Sequence, residues 1–398
     1  MVKLRNIVVI VLCTLSLCTL KAEIGFRGAW IATVANIDWP SAEAVGHDSL
    51  QRAEMVWLLD SLEAIGINAI IFQVRPTADA LYKSEYEPTS HWLMGTQGDS
   101  LTWDPLEWTI EQAHQRNMEV HVWLNPYRVN LAKTDTSEIC AEHVWRKHPE
   151  WFWEYNKQWY FDPGLEVTRE WICTIVRDIV MRYDIQAIHM DDYFYPYPVG
   201  GKPLPDSKTF AKYPRGFTDI ADWRRNNVNL AIQDIHRTIR ECNKNVQFGI
   251  SPFGVWRNAS VDPTGSATTA GITNYDDLYA DIRLWIKSGW IDYVLPQLYW
   301  EIGKKAADYE ILVHWWANEV RGTNCKLYIG MAPYRLQDTQ TTQTTKTTPW
   351  QEGNEISRQM HLNRTIPEIT GECFYSTRPL LKNPRGVCDI IKAIYQEK

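Results

Sequence analysis

The stretch with the clearest chemical potential is Ala187-Ile188-His189-Met190-Asp191-Asp192-Tyr193-Phe194-Tyr195-Pro196, where two adjacent carboxylates close an apolar run and lead into aromatic residues. Side chains alternate along a strand, so within regular sheet Asp191 and Asp192 would face opposite ways. At a strand end the chain can turn, and both can then enter one cavity. Like charges held close push one carboxyl pKa upward, and a protonated carboxylic acid is what glycosidic-bond cleavage needs. The same pair could instead cap a helix or sit in a solvated turn.

Other short strings carry groups suited to hydroxyl-rich ligands. Gln73-Val74-Arg75-Pro76 contributes Arg75, and Asn125-Pro126-Tyr127-Arg128 contributes Asn125, Tyr127 and Arg128. Ser251 and Trp256 lie in Ser251-Pro252-Phe253-Gly254-Val255-Trp256-Arg257. Gln297, Tyr299, Trp300 and Glu301 lie in Pro296-Gln297-Leu298-Tyr299-Trp300-Glu301, and Tyr334 follows Pro333. With His189, Tyr193 and Tyr195, these amide, hydroxyl, guanidinium and indole groups can hydrogen-bond sugar hydroxyls and stack on pyranose faces. Each could also serve packing: Arg75 could pair with a carboxylate, and Trp256 could pack its loop.

Competing chemistries lack their signatures. There is no HExxH, no GxGxxG and no P-loop, and Gly249-Ile250-Ser251-Pro252-Phe253-Gly254 misses the GxSxG elbow by one residue. His189 and Asp191 could belong to a metal site, but no convincing partner set accompanies them, so neither metal nor cofactor is expected. His189 reads as a packed or hydrogen-bonding residue beside the site.

These strings fall at the ends of β-rich runs that alternate with helical stretches. The runs are 26–35, 68–75, 119–125, 185–191, 246–252, 291–299, 327–333 and 373–377. The clearest helical pattern is Val167, Trp171, Ile175, Ile179 and Tyr183; another passes through Leu58, Leu62 and Ile65 and stops at Gly66. Eight strands, each followed by a helix, predict an α/β fold, the (β/α)8 TIM barrel. Long segments follow the strands (76–104, 126–136, 193–217, 253–274), whereas segments leading into strands are short. That asymmetry enlarges the βα loops, on the face where such barrels keep their sites. Thr339–Thr348, rich in Thr and Gln, reads as a flexible rim in the seventh loop.

The 398 residues therefore divide into a signal peptide, 1–22, and a single barrel, 23–398, whose last helix occupies 382–398. Lys3 and Arg5 precede an apolar run from Ile7 to Leu20, too short to span a bilayer comfortably. Export to the periplasm or cell envelope is expected, with lipidation at Cys18 as a second processing route and the sole expected membrane tie. Composition agrees: 45% hydrophobic and 22% charged residues suit a soluble globular chain with a large core. A net charge of −7 without a dense basic patch excludes nucleic acid as the expected partner. The 20 Trp and 19 Tyr exceed the needs of a core and lean towards a sugar ligand. Outside the leader the cysteines show no zinc-like spacing, and Cys373 with Cys388 is the best candidate disulfide.

Taken together, these strings resemble the glycosyl-hydrolase-like family 10, bacterial exported proteins with a TIM barrel. The resemblance rests on Arg27-Gly28-Ala29-Trp30, Gln73-Val74-Arg75-Pro76, Trp123-Leu124-Asn125-Pro126-Tyr127-Arg128 and Asp162-Pro163-Gly164. It continues through His189–Pro196, Gly249–Gly254, Pro296–Trp300 and Gly330-Met331-Ala332-Pro333-Tyr334, across nearly the whole mature chain. It implies a glycosidase of bacterial cell-wall glycan, with peptidoglycan strands as the expected partner and substrate. The Thr/Gln insert departs from the family pattern. The Asp191-Asp192 pair is also similar to the adjacent aspartates of O-GlcNAcase-type barrels. That likeness implies substrate assistance: Asp191 orients the 2-acetamido group, Asp192 protonates the leaving oxygen, and Tyr299 bonds the acetamido oxygen. The conventional alternative makes Glu301 a second carboxylate opposite the pair. A barrel that binds cell-wall glycan without cleaving it, and a hydrolase of another polysaccharide, remain the other readings.

Overall fold

The computed structural model describes residues 24–131, 135–337 and 348–397. The leader with Cys18, and the Thr/Gln stretch apart from Thr348, lie outside the described residues. The strands are β1 (Phe26–Ile31), β2 (Ala69–Arg75), β3 (Glu119–Leu124), β4 (Phe152–Tyr155), β5 (Gln158–Phe161), β6 (Ala187–Met190), β7 (Gln247–Ile250), β8 (Tyr293–Val294), β9 (Lys326–Met331) and β10 (Ile369–Phe374). Eight of them close a barrel in the order β1-β2-β3-β6-β7-β8-β9-β10, with β10 paired in parallel to β1, and β4 and β5 form a separate antiparallel hairpin.

The barrel follows from the sequence pattern. Every residue of β2, Ala-Ile-Ile-Phe-Gln-Val-Arg, is buried, as expected of a parallel strand covered on both faces. Helix Glu166–Arg182 buries Ile172, Ile175, Val176 and Ile179 on one stripe. Helix Asp48–Ala64 buries Leu58, Leu59 and Leu62 and ends before Gly66, whose φ of 90° only glycine adopts without strain.

Aromatic rings and histidines fill the barrel's interior, and two glycines make room for them. A Cβ on Gly249 would lie 1.8 Å from the Tyr293 ring, and one on Gly371 would lie 2.3 Å from the Tyr328 ring. Phe26 stacks on Tyr328 with centroids 4.2 Å apart. Tyr293 can therefore stand on the axis between His121 and His189, a placement that matters below.

Three strand expectations shift. β10 begins at Ile369, because the Thr-Gly-Glu sequence that hides it carries the Gly371 needed by Tyr328. β8 is confined to Tyr293–Val294, since Pro296 has no N–H to continue the ladder; beyond it Gln297 makes only isolated bridges to Phe253 and Gly330. The β4–β5 hairpin was not foreseen, although its turn residues Asn156 and Lys157 both have positive φ, as a tight hairpin requires. Cys373 and Cys388 are both free thiols, so the candidate disulfide is not formed. Cys388 instead directs its thiol to the Leu380 carbonyl.

Candidate active site

β6 stops at Met190, and the next two residues leave the sheet. The Tyr193 backbone N–H donates to Asp191 Oδ1 over 3.1 Å, closing the turn that releases the pair from strict alternation. Both carboxylates then line one cavity of about 270 Å3 at the C-terminal mouth of the barrel. The strand-end position does what the sequence required of it.

Asp191 Oδ2 accepts from Asn125 Nδ2 at 2.6 Å and from Trp123 Nε1 at 3.2 Å. Asn125 is itself fixed: its Oδ1 accepts from Gln73 Nε2 at 2.6 Å and from Arg128 at 3.1 Å, so its nitrogen must face Asp191. Gln73 is held in turn by the Thr33 and Val34 backbone N–H groups, each 2.9 Å from its Oε1. Asp192 accepts from the Tyr197 hydroxyl and, over 3.1 Å, from Gln297 Nε2. The same Gln297 nitrogen reaches the Ser251 carbonyl at 2.9 Å.

Burial raises both carboxyls above the ordinary range, and the Asp192 charge adds to the rise at Asp191. The pair therefore holds one proton more readily than two exposed aspartates would. The donors decide where it sits. Asp191 faces three groups that can only donate: an indole N–H, an amide N–H and a backbone N–H. Asp192 faces one donor-only amide, that of Gln297, and a phenol, which can also accept. The arrangement suits Asp191 as the anion and Asp192 as the acid.

The walls are aromatic: Trp30, Trp123, Tyr193, Tyr299 and Tyr375 line the cavity. Tyr299 and Tyr375 lie 5.9 Å apart and nearly parallel, and the Arg128 guanidinium lies 5.3 Å from the Tyr193 ring. Trp30 lies in β1 and Tyr375 directly follows β10, the two strands that close the barrel, and Asp38 ties the loops after them together. It accepts from Ala32 N at 2.8 Å, Arg378 N at 2.7 Å and Ser376 Oγ at 2.9 Å, and burial pushes its pKa up to about 6.

Of the residues expected at the site, the cavity brings together Asp191, Asp192, Arg128, Tyr193, Ser251, Gln297 and Tyr299, with Asn125 directly behind Asp191. His189 lies just beneath, both ring nitrogens engaged by Tyr293 (2.8 Å) and Ser251 Oγ (2.9 Å).

The remaining expectations are corrected. Arg75 is fully buried in a bidentate pair with Glu87 (2.6 and 2.7 Å) and does not reach the cavity. The ladder between β2 and β3 shifts register between Gln73 and Arg75, which breaks the alternation and leaves Gln73 as the cleft residue. Tyr127 and Tyr195 turn into the protein body, Tyr195 accepting from Asn227 at 2.9 Å. Trp256 stacks on Trp315 under Arg283, outside the cavity. Trp300 packs edge-on against Phe253, and Tyr334 stands edge-on behind Tyr299, so both support the wall rather than form it. Glu301 accepts from Trp350 Nε1 at 2.9 Å and pairs with Lys304 at 3.2 Å. Burial alone would raise its pKa, but these partners outweigh burial and hold it below the usual value. It does not line the cavity with the aspartates.

Gln73, Trp30, Tyr375 and Tyr197 are site residues that pattern reading did not select. Gln73 could have been weighed equally with Arg75, its neighbour at the same strand end. Tyr197 sits five residues beyond Asp192, in a loop with no periodicity to orient it.

The family model described as Glycosyl hydrolase-like 10 matches residues 25–351. The chain is 46% identical over 364 residues to the glycosyl hydrolase YngK of Bacillus subtilis (strain 168), covering 91% of this chain and 70% of that protein. It is 37% identical over 366 residues to the glycosyl hydrolase DigH of Escherichia coli (strain K12), covering 88% of this chain and 82% of that one. Among solved structures, the PgaB (BpsB) glycoside hydrolase domain from Bordetella bronchiseptica superimposes with a TM-score of 0.58 at 10% identity, over 95% of this chain and 99% of that one. At that identity the likeness concerns the barrel fold alone.

Proposed function

The chain belongs to the glycosyl hydrolase-like 10 family and is a glycoside hydrolase, and we propose that it cleaves N-acetylated glycan, with peptidoglycan strands as the substrate. The observation that carries this reading is the buried Asp191-Asp192 pair in an aromatic cleft whose lining includes no third carboxylate among the described residues. Two carboxylates side by side on one strand end cannot flank a sugar from opposite faces as the two-carboxylate scheme demands. A 2-acetamido group on the substrate supplies what is missing.

In this reading the acetamido oxygen attacks the anomeric carbon. Asp191, held as an anion by Asn125, Trp123 and the Tyr193 N–H, accepts from the acetamido N–H and stabilises the positive charge that develops there. Asp192 delivers its proton to the leaving oxygen and then accepts one from the water that opens the cyclic intermediate. Tyr299 donates to the acetamido oxygen, and the flat walls of Trp30, Trp123 and Tyr375 pack on the sugar rings. The charged-then-apolar N-terminus supports export to the cell envelope, with Cys18 the alternative lipid anchor; fractionation of cells expressing the full chain tests this.

Purified protein incubated with peptidoglycan, with and without amidase pretreatment, tests the substrate by mass spectrometry of soluble products. Oligosaccharides with intact 2-acetamido groups are expected from stripped strands. Binding without release would favour the non-catalytic reading, and release only from strands lacking N-acetyl groups would favour another polysaccharide.

A further inference from the structure

A line of hydrogen bonds runs along the barrel axis from the face opposite the cleft to the cleft itself. Glu119, at the outer end of β3, accepts at 3.1 Å from the His121 Nε2 side. His121 Nδ1 lies 2.9 Å from the Tyr293 hydroxyl, and His189 Nδ1 lies 2.8 Å from the same oxygen. His189 Nε2 lies 2.9 Å from the Oγ of Ser251, a residue of the cavity wall whose carbonyl shares the Gln297 amide with Asp192. The two histidines and Tyr293 are fully buried, whereas the Glu119 side chain is half exposed.

The direction of every proton in this line is fixed from one end. Glu119 is an ionised carboxylate, its pKa lowered chiefly by His121, and it can only accept. His121 is kept neutral by burial, so Nε2 carries its single proton and Nδ1 is bare. Tyr293 must then donate to His121, and its oxygen accepts from His189 Nδ1–H. His189, also neutral through burial, is left with a bare Nε2, which accepts a hydrogen bond from Ser251 Oγ–H. Reversing any link would set two bare acceptors, or two protons, against each other inside the barrel, where nothing else can satisfy them.

We propose that this relay commits the Ser251 hydroxyl proton to the barrel interior, making Ser251 Oγ a one-way acceptor that selects glycans presenting a hydroxyl or amide N–H at that point. This deepens the glycoside-hydrolase reading and rests on it. Ser251 is then a specificity-determining residue, and Glu119, His121, Tyr293 and His189 are positioning residues acting through it. A carboxylate, or an ether oxygen, presented at the same point meets lone pairs and is disfavoured. Gly249 belongs to the device, because a side chain there would displace the Tyr293 ring that joins the histidines.

The test is 15N NMR of the imidazoles in the full protein, without ligand, followed by kinetics. The expected spectrum has His121 in the Nε2–H form and His189 in the Nδ1–H form. In Glu119→Gln, whose amide can donate or accept, both histidines should populate the opposite tautomer. The same variant should raise KM for N-acetylated strands about 3- to 10-fold, the range of one neutral hydrogen bond, with kcat and the pH profile retained. Glu119→Asp, which keeps an acceptor-only end, should restore the wild-type tautomers. His189 in the Nε2–H form in the wild-type protein would overturn the proposal, as would tautomers unaltered by Glu119→Gln. If the tautomers behave as expected but no glycan is cleaved by the wild-type protein, the relay stands and the glycoside reading of the cleft fails.

Discussion

Asn125 Nδ2 lies 2.6 Å from Asp191 Oδ2, and it can point nowhere else, because the amide oxygen is already taken by Gln73 and Arg128. One side chain thus joins the ends of β2, β3 and β6 and gives Asp191 a donor that favours its anionic form over its neutral one. Asn125→Leu removes a buried hydrogen bond to a charged group, worth about 1.5–3 kcal/mol. We expect kcat to fall about 10- to 100-fold and the melting temperature to drop by several degrees, about 2–4 °C per kcal/mol, read by reducing-end release and thermal denaturation.

The pair also sets a pH dependence. Its acid must be protonated for the leaving oxygen to depart, and burial raises both carboxyls, so the shared proton is lost above the ordinary carboxylate range. kcat/KM should therefore decline as pH rises, with an apparent pKa above the range of an exposed carboxylate. A rate that stays level across that range would mean that another group supplies the proton.

Arg75 and Glu87 predict stability rather than affinity. Their ion pair is buried, and Trp171 Nε1 adds a bond to Glu87 at 3.0 Å. Removing one partner strands the other charge, at a cost of roughly 3–5 kcal/mol. Arg75→Met should lower the unfolding free energy by that order and leave KM unchanged in the folded fraction, and adding Glu87→Leu should recover much of the loss.

Glu372 carries a separate pH effect. It is buried, with Asn363 at 2.9 Å and Tyr395 at 3.2 Å, and burial pushes its pKa up to about 7. The folded state binds this proton more tightly than the unfolded chain, so its stabilising contribution is full below the unfolded value of 4.5 and is lost as pH rises through about 7. Glu372→Gln cannot ionise. Its stability relative to wild type should increase over that interval by up to roughly 3 kcal/mol, at 1.36 kcal/mol per pKa unit. Equilibrium denaturation of both proteins at acid and alkaline pH measures the difference.

Much of the architecture was legible in the chain, because buried parallel strands such as Ala69–Arg75 read as apolar runs and helices such as Glu166–Arg182 show their stripe. β10 was misplaced because a glycine required by Tyr328, a partner on β9, interrupts its apolar pattern. The aspartate pair was legible because adjacency at a strand end is a local property. Strand-end position points Arg75, Tyr127 and Tyr195 to the cleft, but it carries no sign of a register shift or a turn inward. Gln73 and Tyr375 depend on those same bends, and Trp30 and Tyr375 become cleft walls only once β1 and β10 close the barrel.

Trp256 and Trp30 separate the two uses of the aromatic excess. Trp30 lines the cavity, so Trp30→Ala should raise KM through lost stacking, by about 3- to 10-fold for roughly 1 kcal/mol. Trp256 packs against Arg283 and Trp315, outside the cavity, so Trp256→Phe should leave KM unchanged. Equal effects of both on glycan affinity would mean that the cleft extends further than its present walls.

The most direct test of the catalytic account is the rate of glycan cleavage by Asp192→Asn on N-acetylated strands, with the melting temperature as a check on the fold. Asparagine keeps the shape and can still meet Tyr197 and Gln297, but it has no proton to give. A positioned general acid contributes about 100- to 10,000-fold, so a loss of that size with the fold intact is the predicted result. Turnover within a few-fold of wild type would contradict it.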